Sequence, residues 1–379
     1  MRWPIHPVER VRPSRFHPPF CPWRECKAHL HRGAGFHKHG SYRRKHDPTL
    51  IPRFKCLECE RTCSRQTFST TYYLKRPGLQ PRIAAGLAAC SAHRQIARSE
   101  RCAKTTVTRQ AERLGRHAIL FCARVRSKAP PISEPIVHDH FESFVSRQDR
   151  ALAIGTAVGG RSWFVYDIDP APHRVSGRRP DRKPNAQAKT TSDGSYIRSI
   201  TRTISSLIER VPDERRLVLR VDGRVDYPDA VRRTGLASRL RLKVYPNPKR
   251  GPKGSPRSAE AIARDIAMFP VDQLHQLLRH TCADHKRETI AFGRRIESIL
   301  GRAHLIAVWK NFIKRRTERR PIDTTPAMAL GLTDVGWTWE RVLSRRLFAN
   351  RERVSEIAQQ LYTKRFTADS PELKLRYAG

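Results

Sequence analysis

The sequence predicts a multidomain chain, in which a small metal-held module and a helical pair precede a larger α/β domain. Three observations carry that reading. Two short-spaced cysteine pairs fall within residues 18–70, and two short amphipathic patterns joined by a tight turn fall within 78–128. After Pro130-Pro131, apolar strand-like runs alternate with helical periodicity through 131–320. Length agrees, since 379 residues exceed what one hydrophobic core usually organises.

Charge narrows the class of partner. The chain has 75 Lys and Arg against 35 Asp and Glu, a formal net charge of +40. An enzyme of small neutral metabolites or an acidic secreted protein would not carry such an excess. Residues 1–130 alone hold 28 basic against 7 acidic side chains. Guanidinium forks pair bidentately with phosphate oxygens and release counterions, so nucleic acid is the expected partner, and the helix-turn-helix and family resemblance below make it double-stranded DNA. No run approaches the ~18 apolar residues of a membrane span, and Met1-Arg-Trp-Pro-Ile5 does not lead into a signal-peptide core. A cytoplasmic protein without a membrane partner is expected. There, nine cysteines, an odd number, read as metal ligands before disulfides.

The first element is the metal-held module. Cys21-x4-Cys26 and Cys56-x2-Cys59 are separated by a basic, Gly-containing insert. Each pair can grip an ion from one turn while the insert brings the turns together, as a tetrahedral structural Zn²⁺ site requires. His29 or His31 competes with Cys26 as a ligand, and Cys63 is a spare thiol. Such a zinc ribbon would present Arg43, Arg44, Lys45, Arg53 and Lys55 to DNA.

The second element is a helix-turn-helix. Ser91 to Glu100 reads as a short helix capped by Ser91, with Ile96 and Ala97 inward; Arg101 to Lys104 turns without the usual glycine. Thr105 to Leu114 reads as a second helix, with Thr105 as N-cap and Val107, Ala111 and Leu114 as its apolar stripe. In a major groove, Thr106, Arg109, Gln110 and Arg113 would face bases and phosphates.

In the α/β region, Ile136 to Val145, Ala151 to Val158 and Ser162 to Tyr166 predict an antiparallel meander, and Leu217 to Val221 predicts a buried strand. Helical patterns cover Tyr196 to Arg210, Pro270 to His285 and Arg294 to Arg319, and 321–379 reads as a C-terminal helical tail. Pro170 to Asp193 and Tyr245 to Ser258 read as basic loops; Lys249, Arg250 and Lys253 in the second would lie along a phosphate backbone. Carboxylates at element ends stand out against this basic background. Asp139 lies in the first strand and Asp222 follows the buried strand, where Gly223 permits a tight turn. Asp272 opens a helix, while Asp226 reads as a surface acid. Two acids from neighbouring strands and one from a facing helix are what a two-metal Mg²⁺ or Mn²⁺ site needs.

These residues carry a family resemblance. Cys56-x2-Cys59-x-Arg61-Thr62-x-Ser64, Gln95-Ile-Ala-Arg98, Val221-Asp-Gly-Arg-Val-Asp-Tyr227 and the stretch from Val271 through Ala291-Phe-Gly-Arg-Arg295 resemble the transposases of short bacterial insertion sequences of the InsA/InsB type. The resemblance covers roughly residues 20–320. It implies a zinc ribbon and helix-turn-helix followed by a ribonuclease-H-like DDE domain with a mixed sheet. It also implies metal-dependent cleavage and strand transfer at element ends by a homo-oligomer on DNA in the bacterial nucleoid. Asp139, Asp222 and Asp272 fall where that family has its metal-binding acids, and Arg279 and His280 where the helix would approach the scissile strand. Three features depart from the family pattern: Asp in place of the third Glu, the Tyr245 to Ser258 insert, and the wide first cysteine pair. The alternative is a DNA-binding regulator that keeps the catalytic domain as a scaffold.

Overall fold

The computed structural model describes residues 16–31, 33–45, 49–174, 194–248, 251–252, 254–286, 289, 291–317 and 324–367, and every structural statement below concerns these residues. At the N-terminal end, β1 (Phe36–Arg43), β2 (Leu50–Cys56) and β3 (Thr62–Ser64) form an antiparallel sheet in that order. The register of β1 against β2 shifts between Lys38 and Ser41, and Gly40 at that break has φ +71°, the left-handed backbone that a bulge readily assigns to glycine. One face of this sheet buries Phe54, Cys63 and Phe68 against Phe16, Phe20, Phe36 and Phe348.

Three helices follow: α1 (Leu79–Ala88), α2 (His93–Ser99) and α3 (Lys104–Lys128). The caps differ from expectation. Ala92, not Ser91, is the N-cap of α2, and the Gln95 side chain accepts from its N–H at 2.9 Å. Ala103 is the N-cap of α3, so Thr105 lies inside the helix. That helix runs to Lys128 because the apolar stripe of Val107 and Leu114 continues through Ala118, Phe121 and Val125. In the turn between α2 and α3, Arg101 takes φ +46°, the conformation glycine usually supplies there.

The large sheet has the order β6-β5-β4-β7-β8, formed by β4 (Ile136–Val145), β5 (Arg147–Gly159), β6 (Val165–Arg174), β7 (Leu217–Val221) and β8 (Leu240–Val244). The meander β4-β5-β6 is antiparallel, while β7 runs parallel to both β4 and β8, so the sheet is mixed. β6 extends to Arg174 through Pro170 and Pro172, residues expected to begin a loop. Proline is tolerated there because β6 is an edge strand. Helix α4 (Ser195–Ile208) precedes β7, and α5 (Asp226–Thr234) links β7 to β8.

Helix α6 (Ala259–Thr281) begins eleven residues before the expected start, capped by Ser258, whose hydroxyl accepts from Ala261 N at 3.2 Å, and it continues through Pro270. Asp272 therefore lies inside α6 instead of opening it. α7 (Ile296–Phe312) is followed by three short helices, α8 (Pro326–Ala329), α9 (Trp339–Val342) and α10 (Glu356–Thr363). Trp339, Val342, Leu343, Leu347 and Leu361 of the expected tail belong to the same buried core as α1, α3, the sheet and α7.

α3 and α7 touch at their backbones. A Cβ on Gly115 would stand 3.0 Å from Gly301 Cα and 3.2 Å from its carbonyl oxygen, tighter than most real Cβ contacts, so the helices would have to give by a few tenths of an ångström. Gly115→Ala should lower stability by about 1–3 kcal/mol and reduce Tm by several degrees in thermal unfolding. Gly78→Ala, where an added methyl meets nothing within 4 Å, should leave Tm nearly unchanged.

Candidate functional site

Cys21, Cys26, Cys56 and Cys59 bring their sulfurs within 4.8 Å of one another. Cys21 Sγ lies 3.6 Å from Cys59 Sγ, and Cys26 Sγ 3.9 Å from Cys56 Sγ. A Zn–S bond of about 2.3 Å sets the edges of a tetrahedron near ~3.8 Å, so this buried four-cysteine cluster fits a structural metal such as zinc. The two pairs come from two turns, as the spacing predicts: Cys21 N donates to Ala28 O across the first, and Cys56 N to Arg61 O across the second. Burial raises the Cys21 and Cys26 thiols. Burial also acts against ionised Cys56, but the N–H groups of Cys59 and Glu58 outweigh it and hold that thiol below its ordinary value. His29 is not a ligand here: its Nδ1 lies 2.7 Å from Cys21 O. Cys63 packs with Phe54 and Phe68, and burial pushes its thiol up to about 12.

The acids come from the centre of the large sheet. Ile136 pairs with Leu219 and Val137 with Arg220 across the parallel strands β4 and β7. Continued by two residues, that register sets Asp139 beside Asp222, one strand spacing of about 4.8 Å away. α6 packs over β4, β5 and β7 and carries Asp272. Burial, then the charges of Asp222 and Asp272, push the Asp139 carboxyl up to about 7, while the His140 N–H, 2.7 Å from its Oδ1, acts the other way. The three carboxylates are thus close enough to repel, although they do not form one of the 4.8 Å ligand clusters found among the described residues. Asp222 Oδ1 accepts from Arg224 N at 3.2 Å. Asp272 is held by both terminal nitrogens of Arg264, one of them 3.3 Å from Oδ1.

Several partners of this site were not singled out in the sequence. His275, one turn beyond Asp272 on α6, holds Nδ1 3.7 Å from Asp139 Oδ2 and Nε2 2.8 Å from Thr156 Oγ1, which in turn donates to Asp139 O. Burial lowers His275 to about 3, and on the opposite face of β4 it lowers His138 to about 3 and His140 well below its ordinary value, where their rings meet Tyr227, Ser199 and Tyr196. The i,i+3 spacing of Asp272 and His275 was the available signal. Asp226 is buried and paired with Arg224 at 2.5 Å, not a surface acid; Arg224 in turn lies 3.4 Å over the Tyr196 ring. Gly223 does not take a left-handed backbone, since its φ is not positive. A Cβ there would meet Pro246 Cβ at 2.9 Å, so close approach is what favours glycine. Arg279 lies over the Phe141 ring, 5.6 Å from its centroid.

The basic residues divide by exposure. Arg43, Lys45 and Arg109 are exposed, while Thr106, Arg53 and Lys55 are half-buried, the last paired with Glu60 at 3.2 Å. Arg44 donates to Leu74 O at 3.2 Å. Gln110 is buried against Gln80, and Arg113 donates to Tyr72 O at 2.7 Å. Neither faces outward, because α3 turns those positions toward α1 and the segment that precedes it. In their place, Arg94, Arg98, Arg101 and Lys104 line an open depression at the α2–α3 turn. Lys249, Arg250 and Lys253 lie outside the described residues. No described helix is long and apolar enough to cross a membrane. The sequence matches no family model, and no curated protein is significantly similar to it.

The Cys56→Ser/Cys59→Ser protein should carry one zinc equivalent fewer than wild type by elemental analysis, and residues 16–70 should become protease-sensitive. Asp139 sets a pH dependence. Its native carboxyl titrates near 7 against roughly 3.9 unfolded, so between those values the native state holds a proton that the unfolded chain has lost. Stability therefore falls as pH rises from about 4 to about 7. In metal-free protein Asp139→Asn should remove that slope, adding on the order of 1–4 kcal/mol at pH 8 and nothing below pH 4 in urea titrations.

Proposed function

We propose that the chain is a DNA transposase that binds insertion-element ends and cleaves and joins DNA strands at a site built on Asp139, Asp222 and Asp272. What supports this reading is that Asp139 of β4 and Asp222, next after β7, follow a parallel strand pair at the centre of a mixed sheet, and that Asp222 and Asp272 of α6 both act electrostatically on Asp139. A sheet of order β6-β5-β4-β7-β8 with an antiparallel meander followed by two parallel strands is the arrangement expected of a ribonuclease-H-like domain. The four-cysteine module and the basic α2–α3 turn upstream supply the DNA-binding half of the reading.

The donor set fits divalent cations. Asp139 is buried beside His275 and near the charges of Asp222 and Asp272; burial first, then those charges, raise its carboxyl, and a cation bound there would stabilise the ionised form. Mg²⁺ or Mn²⁺ bound there would activate the attacking oxygen and stabilise the leaving one. Within the chain, His275 and Thr156 fix the Asp139 carboxylate and its backbone, and the Arg224 N–H orients Asp222. The exposed guanidinium groups of Arg94, Arg98 and Arg109 would take phosphates, positioning DNA without reading its sequence. In the proposed reaction, water opens a phosphodiester to leave a 3′-hydroxyl, and that hydroxyl then displaces a strand of target DNA. Both are in-line displacements, so positioning accounts for much of the rate.

One observation favours the second reading, a DNA-binding regulator derived from such an enzyme. The two-nitrogen grip of Arg264 on Asp272 satisfies the third acid internally. Cleavage of labelled duplex separates the two. A transposase nicks it in Mg²⁺ or Mn²⁺, and Asp222→Asn should reduce nicking by several orders of magnitude with folding and salt-dependent binding intact. Asp229→Asn, an exposed acid on α5, should change nothing, whereas Asp226→Asn should lower stability by leaving Arg224 unpaired. A wild-type protein that shifts DNA without nicking it would leave the regulator.

A further inference from the structure

We propose that Cys282, Asp284 and His285 form a second metal site, for a divalent cation of the zinc class, at the seam between the helix-turn-helix and the large sheet. The three ligand-type atoms lie within 4.8 Å of one another. Apart from the four cysteines of the N-terminal module, they make up the remaining such cluster among the described residues. This inference does not depend on the transposase reading.

The chain builds the site in one turn. α6 ends at Thr281, and Ala283–His285 forms a single 3-10 turn closed by His285 N donating to Cys282 O at 3.0 Å. Cys282 and His285 are both buried, and Asp284 is largely so. Phe141 lies flat on the His285 ring, centroids 5.5 Å apart and planes 8° apart, which fixes its orientation. Nδ1 of that ring sits 3.1 Å from Asp284 Oδ1, while Nε2 is buried with no hydrogen-bond partner. A fully buried ring nitrogen without a partner costs free energy that coordination would recover. Ser143 Oγ, donating to Asp284 O at 3.4 Å, ties the turn to β4.

The chemistry of the donors selects the ion. One sulfur, one imidazole nitrogen and one carboxylate oxygen suit Zn²⁺ or Co²⁺ and not Mg²⁺, which takes oxygen donors. Burial pushes the Cys282 thiol up to about 12; a bound cation would stabilise the thiolate, and the S–H proton would leave to solvent. Cys90, in the turn between α1 and α2, is close enough to Cys282 to influence that titration, and its Sγ reaches His280 O at 2.7 Å. Cys90 lies outside the three-residue cluster, and its bond to His280 O ties the α1–α2 turn to the end of α6. Arg302 also faces the cluster, with its guanidinium 3.1 Å from Leu87 O and 3.2 Å from His93 Nε2. Metal bound here would pin the end of α6, the helix that carries Asp272, to β4 and to the α1–α2 turn.

The test is metal stoichiometry in the full chain. Wild type purified with zinc should hold two equivalents by elemental analysis and native mass spectrometry. Cys56→Ser/Cys59→Ser should keep one. Cys282→Ser and His285→Gln should each fall from two to one, while Co²⁺ loaded into either variant still gives the intense charge-transfer bands of the four-thiolate site. One zinc per wild-type chain would overturn the proposal without any variant. Two zinc retained in both single variants would overturn it equally, and neither result would bear on DNA cleavage.

Discussion

The backbone contact of Gly115 with Gly301 is the constraint on which the rest of the molecule depends. It lets α3 and α7 approach without side chains between them, and α3 is long, roughly 37 Å over 25 residues. Its N-terminal turns belong to the helix-turn-helix. At its C-terminal end, Arg126 donates to Asp167 of β6 at 2.5 Å and to Ser206 of α4 at 3.1 Å. A single element therefore sets the basic α2–α3 turn relative to the sheet, and the apolar core passes through it without a break.

Within that frame, the sheet treats its buried acids in two ways. Asp167 and Asp169 are given guanidinium partners, Arg126 and Arg202. Glu134 accepts from the N–H groups of Arg161 and Ser162 and from the hydroxyls of Ser162 and Tyr166. These carboxylates are satisfied and structural. Asp139 instead faces His275 and two further acids, with no guanidinium hydrogen-bonded to it among the described residues, and its burial with those charges costs stability above pH 7. In a chain with a net charge of +40, arginine was available in abundance to pair it. Burial raises Asp169 as well, to about 6, even with Arg202 lowering it, so what sets Asp139 apart is the nearby Asp222 and Asp272 in place of a bonded guanidinium.

What the sequence made legible follows from which interactions are local. The cysteine pairs, the meander and the Leu217 to Val221 strand were readable because spacing and apolar runs are properties of short windows. The acids were readable because each sits at an element end or beside an apolar run. The length of α6 was not, since Pro270 reads as a start and only packing over the sheet carries the helix through it. Gln110 and Arg113 were placed outward from the polarity of their side chains. Tertiary contacts to Gln80 and Tyr72 decide otherwise. The pairing of Asp226 with Arg224 was equally hidden, because two residues of separation say nothing about which of two neighbouring acids turns inward. The metal-ligand character of Cys282 was hidden too, since it is the one cysteine beyond residue 130 and its companions are an Asp and a His in a single turn.

The C-terminal segment shows how far non-local packing reaches. Phe348 enters the aromatic cluster of the N-terminal sheet, 5.2 Å from Phe20 and 5.8 Å from Phe68. Arg351 lies 3.8 Å over the Phe20 ring, Arg346 N donates to Phe68 O at 2.9 Å, and Thr70 Oγ1 donates to Leu343 O at 2.6 Å. A four-cysteine module of this size can draw its folding free energy from a metal alone. Here its apolar face is closed by residues nearly 300 positions away. The module that carries the four cysteines is thus closed by the C-terminal segment, and that segment packs in turn on α3 through α10, where Lys364 pairs with Glu112. The first and last parts of the chain thus clamp α3, the helix that starts at the basic turn and ends against β6 and α4 of the large sheet.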